Sequence, residues 1–346
     1  MKKAFFAISV SLSLALTLAT SMLPSKTQAQ TLSPDSNLNS LLSVDVTPRY
    51  PRAYDKVEIS LQSFRTDLDR ADIAWFLDNE LRDGGTGRKS FSFTLGKLGT
   101  ARTVEIVIKT NTGEIYSRKL VIAPAEVDLM WQSRSYVPPF YQGKALITYQ
   151  TPVTVVALPS FIDNNGTRIP ANSLIYKWYE SEDKVFDTQS GYGRSTLTFE
   201  NSNLIPRHIE VDVKSSDNTF FAHSEIDIQS TLPITLVYED NPLYGVFYNK
   251  ALGALALASS EITLTAVPYF FNTTNRSETV GYDWYTNNIP VTGQKNRPSV
   301  TFRKDSGATG NANIRVKVMS SLKTLQQAGA TVDITFSQKG ETLPSF

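Results

Sequence analysis

The sequence predicts an all-β chain of three tandem sandwich domains, and three repeated features carry that prediction. A tryptophan recurs at Trp75, Trp178 and Trp284, 103 and 106 residues apart, inside the runs Ile73-Ala74-Trp75-Phe76, Tyr176-Lys177-Trp178-Tyr179 and Tyr282-Asp283-Trp284-Tyr285. A strict two-residue alternation recurs as Val104, Ile106, Ile108, then Ile209, Val211, Val213, then Ile314, Val316, Val318, each time 105 residues on. A closing pair recurs as Leu120 and Ile122, Ile226 and Ile228, and Val332 and Ile334, at a step of 106. Charged residues such as Glu105, Glu210, Asp212, Arg315 and Lys317 separate the alternating aliphatics. Period two with one apolar face is a strand whose sheet has one side in a core. Self-similarity at a fixed period means one folding unit written several times.

Each unit can be read in order. A strand ends in Phe64, Phe161 or Phe270, and the tryptophan run follows, then polar turn residues. Phe93-Thr94-Leu95, Leu197-Thr198-Phe199 and Val300-Thr301-Phe302 mark a further shared strand before the alternation and the closing pair. Several short strands around a central tryptophan in about 100 residues are the pattern of an immunoglobulin-like β-sandwich. The chain has no cysteine, so aliphatic side chains fill the places where antibody domains carry a disulfide. The domains are predicted at 43–124, 125–232 and 233–337. Both junctions, Ala123-Pro124-Ala125-Glu126 and Gln229-Ser230-Thr231-Leu232-Pro233, are short and contain proline. They favour limited hinge motion and an elongated rod. Only Leu322 to Ala328 reads as a possible turn of helix.

The second and third copies share a longer opening that the first lacks. Trp131 matches Tyr238, and Phe140-Tyr141 matches Phe247-Tyr248, at an offset of 107. The aromatic residues Tyr136, Phe140, Tyr141, Tyr244, Phe247 and Tyr248 are the candidate partner-binding residues. Two readings stand: they form an aromatic surface for a partner, or they cover a domain junction or sheet edge. Burial of the six rings at a junction, or their exposure, separates the two.

The N-terminus reads as a signal peptide over residues 1–29. Lys2 and Lys3 precede an apolar run from Ala4 to Leu23, and Thr27-Gln28-Ala29 offers small residues at a cleavage site. An uncleaved membrane anchor is the alternative, since the run is long enough to span a bilayer. Residues 30–42 are read as a flexible linker and 338–346 as a flexible tail. Without residues 1–29 the balance is 31 basic against 33 acidic residues, which gives no electrostatic footprint for nucleic acid. The lack of cysteine favours a bacterial export route over a eukaryotic one. The expected location is the cell surface, the envelope or the medium, with the membrane touched only through the signal segment if it stays uncleaved.

The run Leu236-Val237-Tyr238-Glu239-Asp240-Asn241-Pro242-Leu243-Tyr244-Gly245-Val246-Phe247-Tyr248-Asn249-Lys250-Ala251-Leu252 has a counterpart in the second copy. That counterpart is Val127-Asp128-Leu129-Met130-Trp131 with Pro138-Pro139-Phe140-Tyr141-Gln142-Gly143-Lys144-Ala145-Leu146. Together with Glu261 to Phe270 these segments resemble a family of uncharacterised exported immunoglobulin-like or PKD-like repeat proteins of candidate-phylum (Parcubacteria-like) bacteria. The resemblance covers about residues 43–337, with the first copy matching only the general pattern. It implies a surface or secreted protein and supplies no catalytic residue.

Chemical alternatives find little support. A zinc site needs three or four ligands at good geometry, and the chain has two histidines, His208 and His223, with Glu210 and Glu225 nearby. Thiol catalysis is excluded, and no Gly-x-Ser-x-Gly elbow accompanies the histidines. Asp163-Asn164-Asn165-Gly166 and Glu180-Ser181-Glu182-Asp183 are oxygen-rich, yet the first reads as an Asn-Gly turn before it reads as a calcium loop. Asp217-Asn218 and Asn287-Asn288 read as turns for the same reason. The expectation is a non-enzymatic binding or scaffolding protein with no cofactor and no metal, whose partner is a protein or glycan at the cell surface. An accessory carbohydrate-binding module is the main alternative, and an unrecognised hydrolase a lesser one.

Overall fold

The computed structural model describes residues 42–336 apart from 182–183, 203, 258, 273–279, 306–308 and 324. The predicted signal peptide, residues 30–41 of the linker and the tail at 338–346 lie outside the described residues.

Residues 43–122 form seven strands: β1 (Ser43–Thr47), β2 (Lys56–Gln62), β3 (Asp72–Leu77), β4 (Glu80–Thr86), β5 (Ser90–Thr94), β6 (Arg102–Lys109) and β7 (Ile115–Ile122). The antiparallel sheet β1-β2-β5 faces the antiparallel sheet β4-β3-β6-β7. The second unit repeats the plan with β8 (Glu126–Ser133), β9 (Thr151–Ser160), β10 (Ile175–Glu180), β11 (Lys184–Val185), β12 (Gly191–Tyr192), β13 (Thr196–Asn201), β14 (Arg207–Lys214) and β15 (Phe221–Ile228). Here β8-β9-β13 faces β11-β10-β14-β15, and β12 also pairs with β10. The third unit comprises β16 (Ile234–Asn241), β17 (Gly245–Val246), β18 (Ala254–Leu257), β19 (Glu261–Tyr269), β20 (Val280–Thr286), β21 (Ile289–Pro290), β22 (Ser299–Arg303), β23 (Gly310–Ser320) and β24 (Gln327–Phe336). Its sheets are β17-β16-β19-β22 and β18-β24-β23-β20-β21, with β18 parallel to β24. The chain is therefore all-β and folds as three tandem immunoglobulin-like sandwiches.

Each sandwich closes over its own tryptophan. Trp75, Trp178 and Trp284 are buried in three separate apolar cores. Each lies opposite the middle aliphatic of the alternating strand: Trp75 opposite Ile106, Trp178 opposite Val211, Trp284 opposite Val316. A buried indole N–H needs an acceptor. All three find a main-chain carbonyl, and in each domain it belongs to an arginine: Arg88 at 2.8 Å, Arg194 at 2.9 Å and Arg297 at 2.9 Å.

The turn after each tryptophan strand is also repeated. Asp78-Asn79 and Asn287-Asn288 both adopt positive φ at successive positions, the backbone that asparagine tolerates and a right-twisted two-residue hairpin needs. The first turn residue of each copy, Asp78, Ser181 or Asn287, donates its N–H to the carbonyl of Thr103, His208 or Asn313 on the alternating strand.

Two local expectations are corrected. Phe64 does not end a strand in register with Phe161: β2 stops at Gln62, and Phe64 is 98% exposed in the loop beyond it. In the other two copies Phe161 and Phe270 stand one step past the strand and are buried. The turn of helix expected over Leu322 to Ala328 is not formed by its end, because Gln327 and Ala328 already pair with Met319 and Val318 in β24. Sheet pairing there overrides a locally helix-friendly composition.

Between the first two domains, Ala123 bridges to Phe220, and the Ala101 N–H donates to Asn164 Oδ1 at 3.2 Å. Gly99 has φ of +84°, and a Cβ there would meet Ile162 Cγ2 at 2.8 Å and the Asp163 carbonyl at 3.1 Å. That position therefore requires glycine on two counts, backbone conformation and space.

Candidate functional site

The longer opening of the second copy crosses to the third domain. Tyr136 is pinned by two main-chain bonds, its N–H donating to the Phe271 carbonyl at 2.7 Å and its carbonyl accepting from the Phe270 N–H at 2.6 Å. A tight turn follows, in which the Tyr141 N–H donates to the Pro138 carbonyl at 2.9 Å. The turn places Phe140 and Tyr141 against Tyr238, Val267, Tyr269 and Phe270 of the third domain. Phe140 stacks on Tyr248 at 3.8 Å between centroids and meets Tyr238 and Tyr269 edge-on. Tyr141 meets Tyr269 and Phe270 edge-on. Such pairs add to the gain from burial. The Tyr238 and Tyr269 hydroxyls share a 2.8 Å hydrogen bond, and burial, then that bond, pushes the Tyr269 phenol well up.

A polar lock flanks the aromatic cluster. Gln326, 1% exposed, accepts the Asn272 N–H at 2.6 Å and donates to the Tyr149 carbonyl. Asn272 donates to the Gln150 carbonyl, and the Thr148 hydroxyl donates to the Phe270 carbonyl at 2.7 Å. The returning chain lays Lys144 Nζ 3.1 Å from the centroid of Trp131, a cation–π contact whose desolvation lowers the ammonium pKa.

The six candidate aromatics thus divide. Tyr136, Phe140 and Tyr141 hold the second domain to the third, and Tyr248 stacks on Phe140 while staying 43% exposed. Tyr244 and Phe247 belong elsewhere. In the third copy the opening forms the hairpin β16–β17, whose turn is set by Asn241 Oδ1 accepting the N–H groups of Leu243 and Tyr244 at 3.0 and 3.3 Å. The Phe247 N–H then donates to the Glu239 carbonyl, folding the return segment back along β16. Leu243 and Tyr244 project at 84% and 77% exposure, and Tyr244 stacks on Phe247 at 6.4 Å. Leu243 was missed in the sequence, although it stands 107 residues after Tyr136 and so at the matching place in the repeat.

The histidines share the outward face of β14–β15 in the second domain. His208 lies opposite Asp227, Glu210 opposite Glu225, and Asp212 opposite His223. Each imidazole Nδ1 bonds to the carboxylate across the ladder, His208 to Asp227 at 2.8 Å and His223 to Asp212 at 2.9 Å. Among the described residues no three such groups converge to hold a metal ion. The Asp163 loop uses its carboxylate on its own backbone, accepting from the N–H groups of Asn165 and Thr167 at 2.9 and 2.8 Å. Of the other oxygen-rich loop, Glu182 and Asp183 lie outside the described residues, while Glu180 pairs with Arg207 and Lys184 at 2.6 Å each.

Two groups here make stability depend on pH. Burial would raise the Glu180 pKa, but the hydrogen bonds from Arg207 and Lys184 outweigh it and hold the carboxyl below the ordinary value. The stability it contributes is present above the unfolded pKa of about 4.3 and lost as pH falls through the folded one. His208 is raised, chiefly by its bond to Asp227. Its contribution is full below about pH 6.5 and is lost as pH rises through the folded value. Urea titrations across pH should therefore show a Glu180→Gln variant losing the acid-side slope and a His208→Gln variant losing the slope above pH 6.5. Unchanged slopes would remove both assignments.

No family model and no curated protein matches the chain. Solved structures of tandem sandwich domains do. It is similar to the three N-terminal domains of the highly immunogenic outer capsid protein of bacteriophage RB49, at 14% identity over 86% of this chain and 99% of that one, with a TM-score of 0.26. It is similar to a central fibronectin-III array of RIM-binding protein, at 12% identity over 88% and 96%, with a TM-score of 0.29. It is similar to SGBP-B of a Bacteroides ovatus mixed-linkage glucan utilization locus, at 11% identity over 86% and 70%, with a TM-score of 0.18. At these scores the likeness carries no argument about ligands.

Proposed function

We propose that this chain is an exported, non-enzymatic surface or secreted protein that binds a protein or glycan partner through the hairpin of its third domain. One observation carries the reading. The same opening occurs twice in the sequence; in the second domain its aromatics grip a neighbouring sandwich, while in the third domain Leu243 and Tyr244 are exposed and nothing among the described residues covers them. A segment that docks on one β-sandwich is chemically suited to dock on another surface of the same kind. Neighbouring apolar side chains held out together on an ordered turn supply the start of an apolar contact patch. The near-neutral charge of the chain beyond residue 29 argues against nucleic acid as the partner.

The test is binding of the chain beyond residue 29 to envelopes of its own cell and to a glycan panel, beside a Leu243→Ser/Tyr244→Ser variant. A loss of at least tenfold in affinity, with unchanged thermal unfolding, is the expected result. Undiminished binding by the variant would overturn the reading. The stacked pair Tyr244 and Phe247 also supports a carbohydrate-binding module, since exposed rings stack on sugar faces. Retention by isolated glycans free of protein, again lost in the variant, selects that form of the proposal.

A further inference from the structure

A second, chemically different site lies at the junction of the first two domains. The loop of the first domain after β1 carries Arg49 and Tyr50 over the outward face of β10, β14 and β15. Between them is a cleft of about 440 Å³, within the range of small-ligand sites, which favour domain interfaces. Its floor is built by strand register: Ile175 lies opposite Lys214, and Lys214 opposite Phe221, while Lys177 lies opposite Asp212. Both lysines therefore point from adjacent strands to the same side, and Arg49 faces them from the first domain.

The cations are only partly neutralised: Asp212 lies opposite Lys177, and the Arg49 guanidinium lies 5.3 Å from the centroid of Tyr50. Among the described residues, none of Arg49, Lys177 and Lys214 stands in an ion pair. Lys214 Nζ donates to the neutral Asn218 Oδ1 at 2.9 Å, and Lys177 Nζ lies 5.0 Å from the centroid of Tyr179. The one carboxylate in the cleft, Asp212, is engaged by His223 at 2.9 Å, by the Tyr179 hydroxyl at 3.2 Å and by a hydrogen bond from the Tyr50 side chain. Tyr50 stacks on His223 at 5.1 Å, which fixes the wall that faces the lysines. Phe221 is 38% exposed beside them and offers an apolar ring edge or face.

We propose that this cleft binds a carboxylate-bearing saccharide, with the carboxylate on Lys177, Lys214 and Arg49 and a pyranose face on Phe221. Three cations converging on one concave site favour an anion there. Asp212 selects among anions, because its negative charge opposes a phosphate dianion more strongly than a carboxylate monoanion. The site is independent of the hairpin of the third domain, and either can fail without the other.

The experiment is calorimetric titration of the full chain beyond residue 29 with a tetrasaccharide of galacturonic acid, with a neutral glucose tetrasaccharide and with inorganic phosphate. The acidic tetrasaccharide is expected to bind at least tenfold more tightly than either control, and more weakly as salt rises. Lys177→Ala/Lys214→Ala should lose at least tenfold, and Phe221→Ala should lose affinity for the acidic tetrasaccharide at every salt concentration. The lysines sit on the outward face of the sheet, so the double variant should keep the wild-type unfolding transition. No measurable heat with the acidic tetrasaccharide, equal affinity for the neutral one or for phosphate, or undiminished binding by the lysine variant would each overturn the proposal.

Discussion

Replacing Trp178 by alanine is expected to cost the second domain about 3–5 kcal/mol, the range for deleting a buried large aromatic. The indole is fully buried, lies opposite Val211 and donates to the Arg194 carbonyl. The substitution removes its packing, opens a cavity between the two sheets and leaves a part-buried carbonyl without its donor. A domain of this size is stable by about 5–15 kcal/mol, so most of that margin disappears. Urea unfolding followed by circular dichroism should show one of the chain's transitions displaced to much lower denaturant. Trp131→Phe is the control: that ring lies at the edge of the same core under Lys144, and its replacement should cost under about 1 kcal/mol. Equal effects from the two variants would mean that the tryptophan repeat does not mark the cores.

The second large effect is expected at the lock between the second and third domains. Gln326→Ala removes an amide that joins Asn272 to Tyr149 across the junction. Two buried main-chain groups lose their partners, at about 1–3 kcal/mol each. The aromatic contacts of Phe140 and Tyr141 remain, so the domains stay folded but are coupled less. The wild-type pair should unfold together, and the variant should unfold in two resolvable steps by calorimetry. A single unshifted transition in the variant would show that the aromatic cluster alone joins the domains.

How much of this was readable beforehand depends on the kind of signal. The alternations at Val104, Ile209 and Ile314 were legible because a period of two fixes which face is apolar, and the core strands follow. The turn at Asn287-Asn288 was legible because few residues tolerate successive positive φ. Phe64 misled because an aromatic at a strand end has no periodic partner to fix its face. The acceptors of the indole N–H groups were silent, since a carbonyl carries no side-chain identity; that they belong to Arg88, Arg194 and Arg297 emerges only in space. The aromatic openings were recognised as a repeat, but their fate was not. Whether Phe140 or Phe247 is covered depends on what lies beside each domain, which local sequence does not encode. The ties made by Gln326 and Asn272 were not legible, because polar bonds across a junction leave no pattern in composition or spacing.

The short loop of the first domain and the long one of the second make the modules unequal. A first sandwich spliced directly onto the third would lack the segment that carries Phe140 and Tyr141, and Tyr269 and Phe270 would lose that cover. Shuffling, so often tolerated in chains of similar beads, is thus penalised here. The order of the three units is written into one connecting segment, and a duplication or deletion that ignored it would yield a chain whose beads fold but do not thread.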